Sequence, residues 1–169
     1  MKIVSAVVVF SLAVSHAHAQ TSRPIPGPEH ARLENLAGRW VVEGESGGDR
    51  FTRSEVCEWF DGRFHLICRS EAAAASGIVK GQSIIGYDAD AKSYTFYFIS
   101  STGTSIFMRG AVAGQVWTWN GELRVGGELM KARTTITDES PSAYVFRMEG
   151  SFGDGPWMLL EEGRGTKAK

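Results

Sequence analysis

The chain has 169 residues, with 18 lysines and arginines against 19 aspartates and glutamates and no long run of either sign. A nucleic-acid or membrane-surface role needs a basic patch, and the sequence shows none. The length suits one domain with its own core, and 20 glycines beside 11% aromatic residues suit many tight turns joining strands of bulky side chains.

Residues 1–19 read as a secretory signal: Lys2 is the positive start, residues 3–14 the apolar stretch, and Ala17-His18-Ala19 the small-x-small cleavage site. The apolar stretch is 12 residues, short of the roughly 20 that span a bilayer. A periplasmic or secreted product is expected. It starts at Gln20, and loss of Lys2 leaves 17 basic against 19 acidic residues, a formal charge of −2.

Residues 20–27 are polar and proline-rich, a flexible lead-in without a core, and residues 28–169 form the domain. Pro28 opens a short helix with Leu33, Leu36 and Ala37 on its apolar side, and Gly38 ends it. From Arg39 the period becomes two, and turn signals recur about every 8 to 14 residues, the all-β pattern. Strands are predicted near 39–45, 50–60, 63–71, 78–87, 92–100, 103–112, 115–120, 128–137, 142–149 and 157–164. Short links between consecutive strands make an antiparallel meander, and about ten strands must close to avoid exposed edges. Asn120-Gly121 reads as one of the turns, and alanines 72–75 as a helix-prone loop at the open end.

Two hairpins set expectations for faces. If Phe60 and Arg63 bracket the turn Asp61-Gly62, Trp59 faces Phe64, Cys57 faces Leu66, and Cys68 lies diagonal to Cys57 on the same side. A small register change allows a disulfide, which an oxidising compartment favours. Across Ala113-Gly114, Met108 is expected opposite Trp119 and Gly110 opposite Trp117. In strand 92–100, Tyr94, Phe96 and Phe98 alternate with Thr95, Tyr97 and Ile99, so both faces read as apolar.

Catalytic patterns are weak. Gly44-Glu45-Ser46-Gly47-Gly48 satisfies the nucleophile-elbow spacing, but a strand rather than a helix follows, as in a glycine-rich hairpin. Only His30 and His65 survive cleavage of the signal, no cysteine or histidine stands at metal-ligand spacing, and the hairpin turns His65 outward, so neither zinc nor haem is indicated. Asp88 and Asp90 suit a turn, and Glu161 and Glu162, neighbours on a strand, point to opposite faces.

The segment Pro26-Gly27-Pro28-Glu29-His30, with Leu33, Leu36 and Gly38-Arg39-Trp40, resembles the opening of an uncharacterised lipocalin-like family of bacterial proteins carrying a domain of unknown function. Gly86-Tyr87-Asp88 with Lys92 and Tyr94, then Ser101-Thr102-Gly103-Thr104, look like that family's middle strands. The resemblance spans residues 26–165. It implies an all-β, antiparallel up-and-down barrel of about ten strands with a short N-terminal cap helix, in the calycin group that includes lipocalins and fatty-acid-binding proteins. In such barrels Gly38 would admit the chain into the first strand and Trp40 would plug the base. A late-strand arginine packs on that tryptophan, and Arg164 matches it, through a cation–π contact of roughly 0.5–2 kcal/mol. The family carries no established function across.

A small closed barrel either fills its interior or holds one small ligand. Trp59, Phe64, Phe96, Phe98, Met108, Trp117 and Trp119 are the candidate lining, and a small apolar molecule is the expected partner. A small enzyme using barrel-mouth groups such as His30, or a ligand-free structural domain, are the alternatives. No catalytic residue, cofactor or metal is assigned.

Overall fold

A computed structural model describes residues 24–74 and 77–168; the proposed signal, residues 1–19, lies outside them. Pro28 starts helix α1 (Pro28–Arg32), where a missing amide hydrogen is tolerated. His30 closes the turn by accepting the Gly27 amide at Nδ1, 3.1 Å away. A 3₁₀ turn, Leu33–Asn35, then carries Leu33 into the core, with Leu36 beside it. Gly38 adopts φ +117°, which side chains seldom reach, and swings the chain into the first strand.

Ten antiparallel strands follow: β1 (Gly38–Ser46), β2 (Asp49–Trp59), β3 (His65–Ala74), β4 (Gly77–Asp88), β5 (Ser93–Ser100), β6 (Ser105–Ala113), β7 (Val116–Val125), β8 (Glu128–Ser140), β9 (Ala143–Phe152) and β10 (Met158–Lys167). Each pairs with its sequence neighbours, and β1 pairs with β10, so the barrel closes. The closing ladder runs from Trp40↔Lys167 to Ser46↔Glu161. Alternation sends Tyr94, Phe96 and Phe98 of β5 inward and leaves Tyr97 and Ile99 outside, each 44% exposed. No described helix is long and apolar enough to cross a membrane.

Several turns differ from the sequence reading. At Asp61-Gly62 the loop is longer than two residues: Arg63 takes φ +60°, and the Phe60 amide donates to the His65 carbonyl at 2.8 Å. Phe64 leaves the ladder and sets its ring edge-on to His30, 5.1 Å between centroids. The partners therefore slide by two residues, so that Trp59 opposes Leu66 and Cys57 opposes Cys68, and the two sulfurs are joined. In the β6–β7 hairpin Gly114, at φ +59°, moves the turn one residue on. Gly110 then opposes Trp119, and Val112 opposes Trp117. Asn120-Gly121 is not a turn but mid-strand, paired with Arg109 and Met108 on β6 and with Arg133 and Ala132 on β8, and the Phe107 carbonyl and Met108 occupy the space a side chain on Gly121 would need; the chain turns at Gly126-Gly127 instead. Alanines 72–74 are strand rather than loop, with Ala72 opposite Val79 and Ala73 opposite Ile78. Ladder pairing overrides their helical propensity. Residues 75 and 76 lie outside the described set.

The cap is bolted to one end of the barrel by polar tips on buried rings. Trp40 donates its indole hydrogen to the Leu36 carbonyl (3.0 Å), and Tyr94 donates to the Glu29 carbonyl (3.0 Å). Trp117 and Asn35 both donate to the Asp138 carboxylate, at 3.2 and 3.1 Å. The cation on Trp40 is Lys167, its Nζ 5.1 Å from the ring centroid, and not Arg164. Lys167 is the register partner of Trp40 and shares its face. Arg164, three residues earlier, falls on the outer face opposite Glu43, where it is 53% exposed and pairs with Glu139 at 2.6 Å.

Reducing the Cys57–Cys68 bond should lower the free energy of unfolding by about 3 kcal/mol, as expected for a closed loop of about 12 residues. Urea unfolding with and without dithiothreitol reads this; coincident curves would contradict it. Trp40→Ala should cost about 3–5 kcal/mol. A double-mutant cycle should show coupling of about 0.5–1 kcal/mol between Trp40 and Lys167. The same cycle with Arg164 should be additive, and coupling there would restore the arginine to the cap.

Candidate functional site

Inside the barrel, between the cap and the far turns, lies a cavity of about 340 Å³. One wall is apolar, formed by Ile85, Phe96, Phe98, Ile106, Met108 and Trp119 from β4 to β7. The Trp119 ring lies flat across Gly110, where any side chain would collide with it, so the bare backbone lets the indole settle against the wall. Trp117 and Trp119 stack with centroids 6.1 Å apart, and Trp117 fills the space beneath the cavity.

The opposite wall is polar. Arg53 and Glu55 of β2, Tyr144 of β9 and Glu161 of β10 all border the cavity. Arg53 Nη1 donates to Glu161 Oε1 at 3.0 Å, and the guanidinium lies 5.3 and 5.8 Å from the Phe51 and Phe146 ring centroids. Its Nε is buried without a hydrogen-bond partner among the described residues. Tyr144 lies across Gly165, which has no side chain to obstruct it, with its ring 4.9 Å from that of Trp40. Burial raises the Tyr144 phenol well above its ordinary range, and the nearby Glu55 charge adds to the rise.

Glu55 is the unpaired member. Among the described residues no group donates a hydrogen bond to its carboxyl; Cys57 Sγ, 3.5 Å from Oε1, belongs to the disulfide and carries no proton. Burial holds the Glu55 carboxyl above the usual carboxylate range, against the opposing pull of Arg53. Glu55, Cys57 and Cys68 are close enough to hold a metal ion, but the disulfide leaves neither sulfur as a thiolate.

Of the predicted lining, Phe96, Phe98, Met108 and Trp119 border the cavity, whereas Trp59, Phe64 and Trp117 do not. Trp59 donates to Glu34 Oε2 at 2.8 Å under the Arg63 guanidinium. Phe64 packs on His30, which is buried between Phe64 and Tyr87 and lies away from the cavity. His65 points outward. Sequence reasoning misses the four polar residues, although a signal exists: residues 53 and 55 share a face with Cys57, and alternation turns one of Glu161 and Glu162 inward.

A raised carboxyl pKa means that the folded protein holds its proton more tightly than the unfolded chain does. The resulting stability is complete below the ordinary value of 4.5 and is lost as pH rises through the folded-state value. Glu55→Gln, which never ionises, should therefore gain on the wild type as pH rises above the ordinary value of 4.5. Urea unfolding of both at each pH checks this, and a constant difference would contradict it.

No curated protein matches the chain. In three dimensions it is similar to the crystal structure of Rv2717c from M. tuberculosis, at 12% identity and TM-score 0.59, over 85% of this chain and 99% of that one. It is also similar to a de novo designed fluorescence-activating β-barrel, at 17% identity and TM-score 0.48, over 80% of this chain and 96% of that one. The first likeness supports the fold alone. The sequence matches over residues 25–166, and the chain thus belongs to the family described as Protein of unknown function (DUF1579).

Proposed function

We propose that this is an exported binding protein that encloses one small, mainly apolar molecule inside the barrel. The observation that carries the reading is the 340 Å³ cavity with an aromatic wall on one side and a few polar groups on the other. That volume lies at the small end of ligand pockets, and a mostly apolar lining with few polar groups is their usual composition. Export is supported by the signal pattern of residues 1–19 and by the disulfide, since such bonds persist in oxidising compartments. His30 is held by Gly27, Phe64 and Tyr87, so it offers no support to an enzyme at the barrel mouth.

Burying about 200 Å² of apolar ligand surface supplies on the order of 5 kcal/mol before association costs. Dissociation constants between about 0.2 mM and a few mM are therefore expected for a simple aromatic such as 1-naphthalenemethanol. Calorimetric titration should give saturable one-to-one binding. Ile106→Trp, which adds bulk to the cavity wall, should weaken it by about tenfold or more while the variant still unfolds cooperatively. An absence of saturable binding to the wild type, or binding indifferent to Ile106→Trp, would contradict the reading.

A further inference from the structure

We infer that the molecule taken into this cavity carries a basic head group, an amine on an apolar body, with Glu55 as its counter-ion; this rests on the binding reading above.

The charges on the cavity wall do not balance. Arg53 is engaged by Glu161 at 3.0 Å, which leaves Glu55 without a counter-ion of its own. The groups around Glu55 do not supply one. Arg53 is its neighbour two residues away on β2, and Ser70 is its register partner on β3. Trp40 is its partner on β1, and Tyr144 and Glu161 border the same cavity. Lys167 lies over the Trp40 ring and is not part of the cavity wall.

A half-buried acid on a cavity wall without a donor is unfavourable whether it stays charged or takes up a proton. A ligand ammonium supplies both the missing charge and the missing hydrogen-bond donors. The electron-rich face of Tyr144, beside Glu55 in the wall, favours a cation further. A ligand carboxylate meets the reverse situation. It would add a third acid beside Glu55 and Glu161 around a single arginine, whose Nη1 is taken by Glu161 and whose Nε is the one buried donor without a partner among the described residues.

The binding step couples to a proton. The empty site holds Glu55 as the neutral acid over part of the pH range, and a cationic ligand ionises it, releasing that proton to solvent. Amine affinity should then rise with pH until the amine itself loses its charge, whereas the affinity of a neutral ligand should not.

The test uses 1-naphthylmethylamine, 1-naphthalenemethanol and 1-naphthoate, three probes with one ring system and three head groups, titrated calorimetrically into the full-length exported protein. The amine should bind about tenfold more tightly than the alcohol at neutral pH, and its affinity should increase as pH rises above the ordinary carboxyl value of 4.5. Glu55→Gln should cost the amine about tenfold and change the alcohol by less than about twofold. A carboxylate that equals the amine, an amine no tighter than the alcohol, or amine affinity that is flat with pH and unchanged in Glu55→Gln would overturn the inference and leave the binding reading standing. Failure of all three probes to bind would remove both.

Discussion

Pairing of β1 with β10 closes the sheet, and that closure decides what every inward side chain can meet. Once the first and last strands are joined along Trp40↔Lys167 to Ser46↔Glu161, side chains two apart on each strand must share one enclosed space. Ten strands make a lumen wider than a single layer of side chains fills at every level. At the cap end, Trp40, Tyr94, Trp117 and Leu33 fill it, and the short helix is tied across the opening by hydrogen bonds from rings in the wall. Further along, the rings lie back against glycines such as Gly110 and Gly165, and a cavity remains.

The contents of that cavity follow from the same geometry. The strand that sends Cys57 inward to its disulfide must also send Glu55 and Arg53 inward. Arg53 pairs through Nη1 with Glu161 from the far side of the β1–β10 seam, so seam closure and charge pairing depend on one another. Among the described residues Glu55 has no such partner. A core built only for stability would carry an apolar residue there, since buried ionisable groups seldom repay their desolvation. The fold tolerates the residue because it borders a cavity rather than packed side chains, and this sets the barrel apart from one filled throughout.

Much of this is legible in the sequence. The period-two pattern, the turn residues and Gly38-Arg39-Trp40 lead to a ten-stranded closed barrel with a cap helix, and parity alone puts Met108, Trp117 and Trp119 on the inner face. Registers are less legible, because moving a turn one residue along the chain, or lengthening it by two, slides the partners by two while keeping each residue on its face; thus Trp119, not Trp117, covers Gly110. Local propensity misleads at Ala72–Ala74 and at Asn120-Gly121, where pairing with Val79 and packing by Met108 decide the conformation. Arg164 matches by kind rather than by face, and the cation on Trp40 is the residue that parity selects, Lys167. The polar wall escapes a sequence reading because charged residues are ordinarily turned to solvent, a rule that outweighs the alternation placing Arg53 and Glu55 beside Cys57.

The central claim is that a small molecule enters this cavity and touches both its walls, and the methionines report on it directly. Met108 and Met148 border the cavity from β6 and β9, whereas Met158 is exposed at the start of β10, away from the cavity wall. In protein labelled with carbon-13 at the methionine methyls, saturating 1-naphthalenemethanol should shift the Met108 and Met148 signals and leave Met158 in place. A shift confined to Met158, or none at all under saturating ligand, would contradict the account.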